Sequence, residues 1–188
     1  LESGATLPVD CHLLFTISEE VGSGASAILH GDVAEMITID NGTPAPFQAS
    51  SEFGATIAMA DSAGPFDYHL VRRLIALCVD HDIPFQRDIF CDYRSDSASA
   101  VEAGNDIRTA LLTFGVDSSH GYERTHLSGL EAIAKLLVVY MQNEPVFWRD
   151  RDTLGSDNDF PTQPIEETSF PHTLEDMVRR HGEPQDDP

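Results

Sequence analysis

Two adjacent acids, Glu19 and Glu20, end an apolar run and are followed at once by Val-Gly-Ser-Gly. Adjacent carboxylates repel each other unless a cation or a shared proton relieves the repulsion. Asp40, Asp61 and His120 also come at or just after apolar, strand-like runs. Carboxylates together with an imidazole suit zinc, cobalt or manganese, whereas a calcium site would lack the imidazole. A lone Glu-Glu pair is usually a solvated turn, and an aspartate after a strand is often only a cap. Together, however, these residues predict a metal-dependent active site.

The elements that must position these side chains alternate along the chain. Strand-like runs occupy residues 11–18, 34–40, 55–61, 85–90 and 110–114, and helical apolar spacing occupies residues 66–82, 95–103 and 129–142. This alternation predicts an α/β fold, a three-layer sandwich in which a mixed, mostly parallel sheet is flanked by helices. The carboxyl ends of such strands form the usual ligand crevice, so we expect all the candidate residues on one edge of the sheet.

The chain divides into one catalytic-type domain, residues 1–142, and an acidic, proline-containing and partly irregular tail, residues 143–188. The first residues include no initiator methionine and no signal-peptide charge pattern. We therefore expect the chain to be the C-terminal part of a longer protein. No apolar stretch approaches the roughly 20 residues needed to cross a bilayer.

The net charge is strongly negative, with 32 acidic residues against 11 basic ones and Lys135 as the single lysine. Clustered lysine and arginine recruit nucleic acid and anionic membranes, so neither is expected as a partner. Adaptation to high salt and a genome-wide compositional bias explain the acidity equally well. Cys11, Cys78 and Cys91 lie far apart without a CxxC pair, which argues against disulfides and for a reducing cytoplasm.

Three motifs carry a family resemblance: Phe-Thr-Ile-Ser-Glu-Glu-Val-Gly at 15–22, Met-Ile-Thr-Ile-Asp at 36–40 and Ser-His-Gly-Tyr-Glu-Arg-Thr-His at 119–126. In this order they resemble the tetrahedral or glutamyl aminopeptidases, dinuclear metallopeptidases once labelled as cellulases. The resemblance covers residues 1–142 and implies the C-terminal half of a zinc-exopeptidase-like catalytic domain. The acidity and the Ser-Phe-Pro-His-Thr segment are most similar to the branch associated with osmoprotectant dipeptide clusters.

The resemblance implies a role for each matching residue. Glu19 would be the general base and acid that deprotonates a metal-bridging water and later protonates the leaving amine. Glu20 and His120 would bind one metal ion and Asp40 the other, the ions being zinc or cobalt. The family's first metal-binding histidine and its bridging aspartate have no counterpart before Glu19. We therefore expect this chain alone to bind at most one ion weakly and to be inactive.

Several assignments within the resemblance stay open. The histidine motif is shorter than is common in the family, so His126 is a rival to His120 as the ligand. His126 or Glu123 would otherwise cap the following helix or orient His120. Arg94 and Asp96 lie where the family has a turn next to the substrate, so Arg94 could pair with a substrate carboxylate and Asp96 could receive a free amino group. A simple N-cap cluster is equally compatible with these two residues.

The leading functional hypothesis is a cytoplasmic metallo-aminopeptidase that removes N-terminal residues from small peptides and is a homo-oligomer in its full form. One alternative is an amidase or deacylase of the same clan that acts on a peptide-like osmolyte. The other is a catalytically inactive assembly or binding module. Retention of Glu19 argues against the inactive module, because a purely structural relative has no need of a carboxylate reserved for the water.

Overall fold

The computed structural model describes residues 4–27 and 33–145, and these form an α/β fold on one mixed sheet. The strands are β1 (Glu35–Gly42), β2 (Ala55–Asp61), β3 (Gly64–Pro65), β4 (Phe85–Ile89) and β5 (Arg108–Gly115), and the helices are α1 (Tyr68–Asp80), α2 (Asp96–Glu102) and α3 (Leu127–Gln142). The predicted mixed sheet flanked by helices is confirmed. The predicted tail lies outside the described residues from residue 146 onward.

Four of the five strands form two parallel pairs that point in opposite directions, and the short strand β3 is antiparallel to β2. Its order is β1-β5-β2-β3, with β4 also paired to β2. β1 runs parallel to β5 along its whole length, and β4 runs parallel to β2. The two pairs meet where β2 runs antiparallel to β5, with Thr56 opposite Thr113 and Ile57 opposite Leu112.

This antiparallel junction separates Asp61 from the other candidate site residues. Asp40 is in register with Thr113, and Thr113 is in register with Thr56. Asp61 lies five residues beyond Thr56 on β2, which at 3.3 Å per residue is about 16 Å toward the opposite edge. Its carboxylate accepts hydrogen bonds from the backbone and side chain of Ser95. The expectation that Asp61 shares the edge of Asp40 was wrong, because it assumed that every strand points the same way.

The segment at residues 11–18 is not a strand. Leu13, Phe15 and Ile17 are 72%, 81% and 99% exposed. A strand needs a neighbour for its backbone N–H and C=O groups, and no strand within residues 4–27 and 33–145 pairs with this segment. The prediction of a buried strand was therefore wrong for the described part of the chain. Glu19 and Glu20 instead lie on a single 3₁₀ turn, Glu19–Val21.

The core lies where α1 and α3 pack on β2 and β5. Its fully buried side chains include Ala55, Ile57, Leu70, Leu74, Leu112 and Leu136. The helix spacing that predicted α1 puts its leucines on one buried face, and Asp67 caps that helix by accepting a hydrogen bond from the backbone N–H of Leu70 at 2.8 Å. None of the helices in the described residues is long and apolar enough to span a membrane.

Candidate active site

The carboxyl ends of β1 and β5 bring Asp40 and His120 to the same edge of the sheet. The two strands are parallel, and Asp40 lies two residues before the end of β1. The loop that follows β5 is attached to β1 because the Ser119 hydroxyl donates a hydrogen bond to Asn41 Oδ1 at 3.1 Å. Asn41 adjoins Asp40, so this bond fixes the His120 loop beside the Asp40 carboxylate.

A short closed loop presents His120. Asp117 and Arg124 pair through their backbones at 2.9 and 3.3 Å, and the Arg124 guanidinium binds the Asp117 carboxylate. His120 has a φ of 64°, in the left-handed region that side-chain-bearing residues rarely adopt. Its backbone N–H donates to Glu123 Oε1 at 3.0 Å. This loop holds His120 Nε2 at 3.3 Å from Glu20 Oε2.

The rival histidine, His126, makes its contacts with Ser128 and Phe53. Its Nδ1 accepts a hydrogen bond from the backbone N–H of Ser128 at 3.2 Å and so caps α3. Its ring lies 4.9 Å from the ring of Phe53. The prediction that His126 caps the following helix is therefore confirmed, and His120 is the histidine that lies beside Glu20. Metal binding by His120 stays a prediction.

The 3₁₀ turn makes Glu19 and Glu20 diverge. Gly22 ends the turn with a φ of 79° and donates its N–H to the Glu19 carbonyl at 2.8 Å. Successive residues of a 3₁₀ helix lie about 120° apart around its axis, so the two carboxylates point in different directions. Glu20 is 71% exposed at its side chain, and Glu19 is half-buried. One acid can therefore face His120 while the other faces a different part of the site.

Two carboxyl groups of the site, Glu19 and Asp40, have raised pKa values. Partial burial raises the pKa of Glu19, and the charges of Asp40, Glu20 and Asp96 raise it further. Burial also raises the pKa of Asp40, although a hydrogen bond from the Asn41 backbone N–H at 2.7 Å opposes this rise. Perturbed pKa values cluster at functional sites. The role of Glu19 as general acid and base stays a prediction.

The donor atoms suit a metal ion in type but are incomplete in number. Glu20 and His120 supply a carboxylate and an imidazole, both ordinary zinc ligands, but a zinc site takes three or four protein ligands. Across residues 4–27 and 33–145, no three side chains of His, Cys, Asp or Glu are grouped so that they could hold one ion. The described residues thus fit part of a metal site.

The two predicted substrate-binding residues have different surroundings. Arg94 forms a surface ion pair with Glu102 at 2.7 Å. Asp96 is buried, and its carboxylate accepts a hydrogen bond from the Ala25 N–H at 2.8 Å. Ser95 occupies the N-cap position of α2 but does not cap it, because its hydroxyl binds Asp61. Substrate binding by Arg94 and Asp96 stays a prediction.

Sequence reasoning missed Asn41 and Ser119, the pair that ties the two strand ends together. Each adjoins a predicted site residue, and this adjacency was the available signal. Their bond depends on the parallel register of β1 and β5, which no local pattern specifies.

The fold and the site together define a class of protein. It is an α/β protein with an enzyme-type polar site. The parallel strands β1 and β5 place an aspartate and a histidine at one edge of the sheet, next to an adjacent pair of glutamates.

Comparison with known proteins identifies the family within that class. The sequence profile of the M42 glutamyl aminopeptidases matches residues 2–136, and the chain belongs to this family. YhfE of Bacillus subtilis (strain 168), provisionally named an aminopeptidase, is 36% identical over 140 residues, which are 74% of this chain and 40% of YhfE. The family membership that the three motifs predicted is therefore confirmed.

Solved structures share the fold. The TET1 peptidase of Pyrococcus horikoshii has a TM-score of 0.61 at 22% identity, over 68% of this chain and 39% of that one. The aminopeptidase APDkam598 of the archaeon Desulfurococcus kamchatkensis has a TM-score of 0.59 at 20% identity, with the same coverage of 68% and 39%. The chain thus spans about 40% of the length of the relatives it matches.

Proposed function

We propose that the complete natural protein is a metal-dependent aminopeptidase that removes N-terminal residues from small peptides. Membership of the M42 glutamyl aminopeptidase family supports this proposal, as does the likeness to YhfE. The observation that carries it is the position of Glu20 Oε2 at 3.3 Å from His120 Nε2, at the sheet edge where Asp40 lies two residues before the end of β1. Carboxylates and an imidazole at the carboxyl ends of strands are the ligand types that bind catalytic metal ions in hydrolases.

The residues of this chain take different parts in the proposed reaction. Glu19 accepts a proton from the attacking water and passes it to the leaving amine, a task that its raised pKa favours. Glu20 and His120 would hold one divalent ion and Asp40 the other, with zinc or cobalt as the candidates. Ions held there would supply Lewis acidity toward the scissile carbonyl.

The proposal includes an assembly and a location. The TET1 peptidase of Pyrococcus horikoshii can assemble into a tetrahedron or a large octahedral shell, and we extend self-assembly to the complete form of this protein as a homo-oligomer. The three cysteines are free thiols. Free thiols at buried and exposed positions are typical of a reducing compartment, which supports a cytoplasmic location.

The test uses the complete natural protein, purified with and without added zinc or cobalt. Peptides with a free N-terminus should lose their first residue, chelation should abolish this activity, and Glu19→Gln should lower kcat by at least about 100-fold. Glu131→Gln, at an exposed position of α3, is the matched control and should leave kcat unchanged. Turnover of N-acylated dipeptides alone would overturn the proposal in favour of a deacylase. Turnover of neither substrate class would favour an inactive module.

A further inference from the structure

A buried acid outside the predicted metal ligands is bonded to the segment that follows the two glutamates. Asp96 is 6% exposed at the first turn of α2. Its Oδ1 accepts the N–H of Ala25 at 2.8 Å, although the two residues are 71 positions apart in sequence. Ser99 Oγ lies 2.9 Å from the same oxygen and 3.3 Å from the Ala25 nitrogen. Ala25 is itself fully buried, so these bonds are shielded from water and are worth more than bonds on the surface.

The two segments approach each other closely at Gly24. A Cβ atom added at Gly24 would lie 2.5 Å from Asp96 Oδ1 and 2.6 Å from Oδ2, well inside van der Waals contact. A side chain at position 24 would therefore require the Asp96 carboxylate or the turn to shift. The turn thus packs directly against the carboxylate that accepts its Ala25 N–H.

Hydrogen bonds connect this contact to the 3₁₀ turn that carries the two glutamates. The Gly22 N–H donates to the Glu19 carbonyl at 2.8 Å, and the Ser23 N–H donates to the Ser18 carbonyl at 3.1 Å. The Ser26 hydroxyl donates to the Ser23 carbonyl at 2.8 Å. The backbone from residue 18 to residue 26 is thus one bonded unit, and Asp96 is its buried attachment to the helices and the sheet.

We propose that Asp96 is a positioning residue that fixes Glu19 and Glu20 relative to the ends of β1 and β5 by anchoring the turn Gly22–Ala25 on α2. The functional part of this inference rests on the proposed peptidase activity, but the anchoring itself does not. The segment before the turn provides little other support, because the apolar side chains at residues 13, 15 and 17 are mostly exposed. The anchor on the far side of the glutamates therefore helps to hold Glu20 Oε2 at 3.3 Å from His120 Nε2.

Amide hydrogen exchange of the 188-residue chain, measured by NMR, tests the anchoring. In Asp96→Ala the Ala25 amide should exchange at least about tenfold faster than in the unmodified chain, and the amide resonances of Glu19 and Glu20 should shift. Asp96→Asn keeps an acceptor oxygen at the same place and should restore slow exchange. Asp92→Ala, an exposed acid nearby, is the control and should change neither readout. Unchanged exchange at Ala25 and unchanged Glu19 and Glu20 resonances in Asp96→Ala would overturn the inference.

A second variant covers the case in which Asp96→Ala fails to fold. Gly24→Ala keeps the Asp96 carboxyl group but adds a methyl group that would clash with it, so that the carboxylate and the turn must move apart. The Ala25 amide should again exchange faster, while the amides of α2 keep their protection. Faster exchange confined to α2, with Ala25 unchanged, would mean that Asp96 serves only its own helix and would overturn the inference.

In the complete natural protein, the same variants separate positioning from substrate binding. Asp96→Ala should lower kcat by roughly 10- to 100-fold, the usual effect of removing a group that orients active-site residues, and Asp96→Asn should recover most of it. A rise in KM in both variants with kcat unchanged would instead assign Asp96 to the substrate amino group. If the protein has no peptidase activity, the proposed function fails while the exchange result at Ala25 still decides the anchoring.

Discussion

Replacing Asp88 should reveal how the loop between β1 and β2 is held next to the candidate site. Asp88 is 8% exposed near the end of β4. Its Oδ2 accepts hydrogen bonds from the Ser50 N–H at 2.8 Å, the Ser50 hydroxyl at 2.7 Å and Gln48 Nε2 at 3.1 Å. Its Oδ1 accepts the N–H of Ile89 at 2.9 Å. The loop that these bonds hold begins directly after Asn41–Gly42, the end of the strand that carries Asp40.

The expected magnitude follows from the donors left behind in Asp88→Ala. Ser50 is buried and would lose the acceptor for both its N–H and its hydroxyl, and each buried donor left unpaired costs about 1–3 kcal/mol. Gln48 is partly exposed and can turn to water. Removing a buried carboxylate recovers some of its own desolvation cost. We therefore expect a loss of about 2–4 kcal/mol in the free energy of unfolding, and about half of that for Asp88→Asn, which keeps one acceptor oxygen.

Equilibrium unfolding of the 188-residue chain in urea, followed by circular dichroism, measures this loss. Asp92→Ala, the exposed acid just after β4, is the control and should change stability by no more than about 0.5 kcal/mol. In a double-mutant cycle with Ser50→Ala, the two losses of unfolding free energy should differ from additivity by at least about 0.5 kcal/mol, because the two side chains share the same hydrogen bonds. A change in Asp88→Ala no larger than that of the control, or strict additivity in the cycle, would refute the reasoning.

Three further predictions concern the site and the core. Burial and the charge of Asp40 raise the pKa of Glu19, so the folded state binds the Glu19 proton more tightly than the unfolded state does. The stabilisation of the folded state by this bound proton is therefore present at low pH and is lost as the pH rises. Glu19→Gln should therefore raise the urea midpoint at pH 7 and leave it unchanged below the ordinary glutamate value of about 4.3; an equal shift at both pH values would contradict this. Titration calorimetry of zinc into this chain should show at most one weak binding site. Tight binding of two ions would contradict the prediction that this chain holds only part of a metal site. Leu74→Ala, at a fully buried position of α1, should cost about 2–5 kcal/mol, whereas Leu127→Ala, at a 64% exposed position, should cost far less.

The helices were predictable because their signals are local. The apolar spacing at residues 66–82 predicted α1 to within two residues at each end, and the proline at position 84 marked where it stops. The spacing at residues 129–142 likewise predicted α3, whose start is set by the His126 cap. Each of these signals lies within the element that it specifies, so no distant contact was needed to interpret it.

Strand identity was less predictable because a strand depends on a partner. Residues 11–18 have the same apolar character as residues 34–40, yet only the second segment pairs, with β5. Strand direction could not be predicted from the sequence either. The motif at 36–40 and the run at 55–61 both end in aspartate, but the antiparallel junction between β2 and β5 sends Asp61 to the other edge.

The sequence by itself determined the family, the helices and the residue types of the site, because motifs, amphipathic spacing and chemical identity are properties of short segments. Only the tertiary structure decided which acids meet. The parallel register of β1 with β5 and the left-handed backbone of His120 bring that histidine, and not His126, to Glu20. The attachment of Ala25 to Asp96 likewise joins segments 71 residues apart. Such contacts depend on the packing of distant elements, and no local pattern encodes them.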